Sequence, residues 1–325
     1  MFKGKKVLVA GGTGLIGRPL VELLIKQGAR VSIASLDDPS RAHKEAEFVQ
    51  VNLRSFENCL QVCRGMNYVF NLLCVKGSPA VTRSKPASFF VPMLQFNTNL
   101  MEAARQSGVD GYLFASSVAV YAQSEILREE DVWKTFPTEN DRFAGWAKRM
   151  GELQAEAYAI EHGWKNIAIV RPANVYGPYD IFDGINSMVV PSLIKRAVDG
   201  ENPMRVWGDG SQIRDFIHAK DVARGMLFAA EKLPGRPVNL GSGTGVSIKN
   251  LVEVIVSCLD KKPDVIWDLS KPSGDKVRLM DISTISQFGF KNEMTLKEGI
   301  QDTFLWYQQN RNDLPKSYSI FQRKN

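Results

Sequence analysis

Between Lys5 and Ser35 the chain passes through a short apolar run, a glycine-rich turn, an amphipathic stretch and a second apolar run. The first run (Val7, Leu8, Val9) ends in Gly11-Gly12-Thr13-Gly14-Leu15-Ile16-Gly17. Leu15, Ile16, Leu20, Leu23 and Leu24 then recur at helical spacing up to Gly28, and Val31–Ser35 has the pattern of a buried strand. Strand, glycine turn, helix and strand in this order is the context that binds a dinucleotide pyrophosphate. Gly11 permits the tight turn, Gly14 lets the backbone approach the phosphates, and Gly17 lets helix and strand pack closely. The turn residues Thr13, Leu15 and Ile16 complete the loop, whose free amides and helix dipole attract an anion.

More strand–helix units follow. Phe48–Val51 and Tyr68–Cys74 have strand patterns, and Val75, Lys76 and Gly77 at the second exit are expected beside the cofactor. Tyr112–Ser117 and Ile167–Val170 are further buried strands. Repeated βα alternation predicts an α/β protein: a doubly wound parallel sheet of the Rossmann type, covered on both faces. A smaller, mixed C-terminal lobe is expected to hold substrate. The expected division is residues 1–174 for the cofactor domain, which also receives part of 205–245, and residues 175–325 for the substrate lobe.

The 325 residues suffice for such a core, and 44% hydrophobic with 23% charged residues is ordinary for a globular protein. The net charge of +6 is dispersed, with no basic stripe. It points to a small anionic ligand, not to nucleic acid. No apolar stretch reaches membrane-spanning length, and the N-terminal strand follows without a signal-type apolar region. A cytoplasmic location is therefore expected, with no membrane partner. Cys59, Cys63, Cys74 and Cys258 include no CxxC pair. Cys59 and Cys63 share a helical face without a nearby His, so no metal site is expected.

The end of the second strand bears on cofactor choice. An acidic residue there would hold the adenosine ribose hydroxyls and repel a 2′-phosphate. The strand is expected to end on Ser35, with Arg41 and Lys44 downstream, which favours NADP and leaves NAD as the alternative. Asp37 and Asp38 reverse this preference if the strand ends later.

GGTGLIG, with GxxGxxG spacing, resembles the extended short-chain dehydrogenases, the NAD-dependent epimerase/dehydratase family that acts on nucleotide sugars. Ser116-Ser117-Val118-Ala119-Val120-Tyr121 resembles its SSxxVYG strand end. Arg171-Pro172-Ala173-Asn174-Val175-Tyr176-Gly177-Pro178 and Gly208-Asp209-Gly210-Ser211-Gln212-Ile213-Arg214-Asp215-Phe216 resemble its RPxNVYGP and GxGxQxRDF strings. Asn239-Leu240-Gly241-Ser242-Gly243 resembles its NxGxG strand. The resemblance implies an NAD(P) site at Gly11, Thr13, Gly14, Leu15, Ile16, Gly17, Ser35, Arg41, Asn52, Leu53, Lys148 and Pro172. It implies a nucleotide-diphosphate sugar (GDP-, UDP- or dTDP-linked) held by Ser117, Asn174, Met188, Val189, Arg214 and Arg278. It also implies a homodimer, for which Met150, Leu153 and Tyr158 are candidates.

The catalytic helix departs from the family. Ala144-Gly145-Trp146-Ala147-Lys148-Arg149-Met150-Gly151-Glu152 resembles the active-site segment in which a Tyr and a Lys, four residues apart, carry the proton chemistry. Lys148 is present and Ser117 matches the substrate-binding hydroxyl, but Ala144 holds the Tyr position. Phe143 lies on another face and has no hydroxyl. Three explanations stand open. Ala144 is an engineered inactivating change, or another donor (Tyr179, His218 or a water) serves, or the chain is a non-catalytic NAD(P)/nucleotide-sugar sensor.

Absences narrow the reaction. Val118 and Ala119 lack the acidic groups of sugar dehydratases. The stretch from Tyr176 to Leu193 is most similar to GDP-fucose synthases. The positions of their two epimerisation groups hold Ala119 and Met188, neither of which can move a proton. What remains expected is C4 chemistry: reduction of a 4-keto sugar, or 4-epimerisation.

Overall fold

In the computed structural model, residues 1–77, 79–182, 187–270, 275–314 and 318–322 are described. In chain order the first half contains β1 (Lys6–Ala10), α1 (Gly17–Lys26), β2 (Arg30–Ser35), β3 (Glu47–Gln50), α2 (Phe56–Cys63), β4 (Tyr68–Asn71), α3 (Pro79–Ser84), α4 (Pro86–Gln106) and β5 (Gly111–Ala115). Then come β6 (Ile126–Leu127), α5 (Arg142–His162), β7 (Ile167–Pro172), β8 (Asn174–Tyr176), α6 (Val189–Val198), β9 (Met204–Trp207), β10 (Ile213–His218) and α7 (Ala219–Lys232). The remainder is β11 (Pro237–Leu240), β12 (Gly245–Ser247), α8 (Ile248–Val256), β13 (Val265–Asp268), β14 (Val277–Met280), α9 (Ser283–Gln287) and α10 (Leu296–Asn310).

The α/β expectation is met. Seven parallel strands form one sheet in the order β11-β7-β5-β4-β1-β2-β3. β1, β4, β5 and β7 carry near-continuous apolar runs because helices cover both faces. α1 and α7 bury Leu20, Leu24, Val222 and Met226 on one face, while α2, α4 and α5 bury Cys59, Met93, Leu100 and Ala147 on the other. The Cys59 and Cys63 thiols lie inside the second layer, and burial pushes both up to about 12. They are inert packing groups. From β1 the chain winds outward to β2 and β3, then returns to β4 on the other side. The topological switch, and hence the ligand crevice, lies between the carboxyl ends of β1 and β4.

The second half adds a mixed sheet, β12-β10-β14-β6, with β8 also paired to β10. β9 and β13 form a separate parallel pair. A third apolar cluster underlies this lobe, including Phe182, Leu193, Ile194, Phe216, Leu251, Ile255 and Phe304. The two halves interlock, since β6 from the first half pairs with β14, and β11 from the second joins the large sheet beside β7.

Strand ends fall short of the sequence expectation. β4 stops at Asn71, not Cys74, and β5 at Ala115, not Ser117. β3 covers Glu47–Gln50, not Phe48–Val51. Past the last ladder bond of β4 the apolar run continues because Leu72 and Leu73 pack against the two core layers.

Candidate active site

The loop after β1 has the form that a dinucleotide requires. Gly11 is left-handed (φ 83°), and its N–H donates to Ala34 O at 2.9 Å. A Cβ on Gly17 would lie 2.2 Å from Gly11 O, so only glycine lets α1 start this close to the turn. A Cβ on Gly14 would meet nothing nearer than Gly11 O at 3.6 Å, leaving room above that backbone for a pyrophosphate. The loop therefore fits the group the sequence implied. Leu15 is buried and Ile16 is the N-cap residue of α1.

β2 ends on Ser35, as expected, yet an acid still reaches the adenosine side. The chain folds back so that Asp37 N–H donates to Ser35 Oγ (3.1 Å), and the buried Thr13 Oγ1 donates to Asp37 Oδ2 (2.5 Å). Thr13 Oγ1 also lies 3.0 Å from Ser35 Oγ. Arg41 Nε stands 3.8 Å from the same carboxylate oxygen. Ser35 is thus a small seat for Asp37, one of the two acids that the sequence set against the NADP preference. Its proximity to Ser35 was the available signal. Asn52 Oδ1 accepts from Arg54 N (3.1 Å) and Nε (3.3 Å), holding the turn before α2, where Leu53 is buried.

At the carboxyl end of β5, Ser117 is extended and half-buried, and its Oγ accepts from Ala119 N at 3.1 Å. A hydroxyl held in this way keeps its proton to donate to a substrate oxygen. Lys148 is buried on α5. Its Nζ donates to Ala115 O (2.7 Å) and Leu73 O (3.2 Å), bridging the exits of β5 and β4 beside the switch point. α5 lies this close because Gly145 and Gly151 have no side chains: a Cβ on either would fall 2.3 Å from Ala119 O or from Phe114 Cζ. Ala144, one turn before Lys148, is half-buried against the apolar layer and presents no polar atom. Phe143 is exposed and packs edge-on to Phe90 at 5.7 Å.

Burial pushes the Lys148 ammonium below the ordinary lysine value of 10.5, while the Cys74 thiol and the Glu152 carboxylate oppose that shift. The unfolded chain then binds more protons than the folded one between the two values. Stability should rise with pH across that alkaline window. Denaturant midpoints of this chain and of Lys148→Met, compared at several alkaline pH values, test this. Parallel curves would refute it.

Of the residues expected to hold substrate, Asn174, Arg214 and Arg278 stand on β8, β10 and β14. Asn174 Nδ2 donates to Asp215 O (2.9 Å), locking β8 to β10. Arg214 and Arg278 are register partners on adjacent strands. Burial, and then the Arg278 charge beside it, push the Arg214 guanidinium down. Arg278 is braced by Asp141 (2.9 Å) and donates to Val118 O (3.2 Å), so it is tied to the turn that carries Ser117. Two neighbouring guanidiniums have the chemistry that the expected diphosphate contact asks for. Met188 and Val189 stand exposed at the start of α6. Residues 183–186, within the stretch from Tyr176 to Leu193 that resembles GDP-fucose synthases, lie outside the described residues. Pro172 ends β7 against Leu240.

The alternative proton donors are otherwise engaged. His218 is buried and caps α7: its Nδ1 accepts from Lys220 N (3.3 Å) and its Nε2 lies 3.3 Å from Asp302. Tyr179 has a left-handed backbone (φ 67°) and lies under the Arg18 guanidinium at 4.8 Å, on the side of the glycine loop.

The NAD dependent epimerase/dehydratase family matches residues 7–241. The chain belongs to this family. Over 317 residues it is 32% identical to GDP-L-fucose synthase 1 of Arabidopsis thaliana, covering 95% of this chain and 94% of that one. It is 29% identical to a dTDP-4-dehydro-6-deoxy-D-allose reductase of Streptomyces sp over 321 residues, 94% of this chain and 97% of the other. Its fold superposes with TM-score 0.84 on a UDP-N-acetylglucosamine 4-epimerase from Methanobrevibacter ruminantium M1, at 25% identity, covering 95% of this chain and 100% of that one. The glycine loop follows β1, Ser117 follows β5, and Lys148 bridges the exits of β4 and β5, so all three lie at the carboxyl ends of the strands β1, β4 and β5, which are neighbours in the sheet. Among the described residues no helix is long and apolar enough to cross a membrane.

Proposed function

We propose that this protein acts at C4 of a nucleotide-diphosphate sugar, reducing a 4-keto group or inverting C4, from a helix whose acid/base tyrosine is replaced by Ala144. The observation that carries the reading is that Arg278, the register partner of Arg214, donates to Val118 O in the turn after Ser117, while Lys148 bridges the exits of β4 and β5. In this reading residues 1–174 form the cofactor part and residues 175–325 the sugar part, joined as a homodimer. Sedimentation velocity decides the oligomeric state.

Nicotinamide, when bound, supplies or removes the hydride at C4. Arg214 and Arg278 hold the diphosphate and so set the sugar's depth. Ser117 Oγ donates to the C4 oxygen. Lys148 Nζ places positive charge where a tyrosine at 144 would ionise, lowering the cost of that ionisation. With alanine there, no side chain at 144 moves the C4 hydroxyl proton. Ala119 and Met188 have no titratable group, which argues against C3 and C5 epimerisation. The test incubates this chain and Ala144→Tyr with NAD+ or NADPH and a panel of GDP-, UDP- and dTDP-sugars, including 4-keto forms, with products read by mass and NMR. Turnover only in Ala144→Tyr supports an inactivated C4 enzyme. Equal turnover in both refutes the assignment of position 144.

Ala144 itself favours a second reading, a sensor that binds NAD(P) and nucleotide sugar without turnover. Sugar-nucleotide binding with no activity in either chain would establish it.

The Asp37 carboxylate shifts the cofactor preference from NADP toward NAD. Seated against Thr13 and Ser35, it suits a ribose hydroxyl and repels a 2′-phosphate. Asp37→Asn should weaken NADH and strengthen NADPH, as measured by calorimetry. Tighter binding of NADPH than NADH by the unaltered chain would contradict this.

A further inference from the structure

The C-terminal residues Tyr318–Gln322 lie on the cofactor crevice. Tyr318 N–H donates to Asp37 Oδ1 at 2.6 Å, beyond the end of β2. Three residues later, Phe321 packs against the apolar layer under β1 and β4. Its Cε2 lies 3.1 Å from where a Cβ on Gly77 would stand, at the exit of β4. β2 and β4 flank β1, so these contacts fall on opposite sides of the glycine loop. From Tyr318 the chain passes through Ser319 into a 3-10 turn over Ile320–Gln322, and from that turn the Phe321 side chain reaches the exit of β4.

We propose that this segment is an autoinhibitory strap, a displaceable occupant of the adenosine side of the dinucleotide crevice. The inference rests on the assignment of Asp37 to the adenosine ribose. A peptide N–H and a ribose hydroxyl are both donors, and each asks for the same carboxylate oxygen. With Thr13 on Oδ2 and Tyr318 on Oδ1, the carboxylate is engaged on both oxygens before a cofactor arrives. The seat is also imperfect. Ser319 Oγ is buried with no hydrogen-bond partner among the described residues, a cost that favours release. The ligand class is an adenosine-containing dinucleotide, and the strap lowers its apparent affinity by the fraction of time it is seated.

Hydrogen exchange on the unaltered chain tests the exchange of occupants. Saturating NADH, or ADP-ribose alone, should reduce amide protection across 318–322. Tyr318→Pro removes the donor and Phe321→Ser the apolar anchor, with the chain otherwise intact. A strap seated about nine-tenths of the time weakens binding about tenfold, and each variant should recover most of that factor. Unchanged or weaker NADH affinity in both variants, or protection that rises with NADH, overturns the strap. The two possible failures separate. If only the strap is wrong, Asp37→Asn still weakens NADH while Phe321→Ser does nothing. If only the ribose assignment is wrong, Phe321→Ser still tightens NADH, and adding Asp37→Asn to it changes nothing further.

Discussion

Replacing Ala144 by tyrosine is expected to raise kcat on the true nucleotide-sugar substrate by about 10²–10⁴-fold, the usual worth of a placed general acid or base. The geometry for that gain already exists. Position 144 is one helical turn before Lys148 on α5, so a tyrosine there shares a face with the lysine. Lys148 Nζ is pinned by Ala115 O and Leu73 O, and Ser117 Oγ is oriented by the Ala119 amide. An added phenol meets a preorganised partner, not a mobile one. Ala144 is only half-buried, so part of its surface is open for a larger side chain. Adding Lys148→Met should remove most of the gain, because the phenol would then return toward its ordinary acidity near ~10. Steady-state rates of the single and double variants measure both effects. A gain below about tenfold would place the proton chemistry elsewhere.

Glu152→Ala is expected to destabilise the fold by about 3–5 kcal/mol, the cost of leaving one member of a buried ion pair alone. The Glu152 and Arg171 side chains are 2% and 1% exposed. They form a bidentate pair, Nε–Oε1 3.0 Å and Nη2–Oε2 2.7 Å. Ser116 Oγ donates to the same carboxylate, and Arg171 Nη1 donates to Tyr121 OH (3.1 Å), which in turn donates to Asn239 Oδ1 (2.6 Å). This network ties α5 to β5, β7 and β11 immediately behind Ser117 and Lys148. Burial alone would push the Arg171 guanidinium down, and the paired carboxylate more than offsets that. Without Glu152 the guanidinium is stranded, whereas Glu152→Gln keeps the shape and loses only part of the attraction. Denaturant unfolding of the three chains checks the order. A loss under about 1 kcal/mol for Glu152→Ala would mean that water enters to solvate Arg171.

The glycine loop, the helix spacing and the strand-end motifs were legible in the sequence because each is a local property. A tight turn needs glycine wherever it occurs, and an i, i+4 pair shares a helix face in any fold. The α/β class followed from the alternation of such units. Strand ends were less legible, because apolar character continues from β4 into Leu72 and Leu73 and periodicity does not mark the last ladder bond.

Juxtapositions between distant segments were left to tertiary structure. The β10–β14 pairing sets Arg214 beside Arg278, although 64 positions separate their numbers in the chain. Ser35 and Arg41 pointed toward one cofactor preference, while the fold-back of Asp37 onto Thr13 points toward the other. His218 had the chemistry of a proton donor, but packing places it under Asp302 at a helix start. Tyr318 reaches Asp37 across almost the whole chain. Local physics thus determined which elements form and which chemistry they can carry. Packing decided which charges meet, because contact energies between remote segments depend on register and burial that no local window of sequence contains.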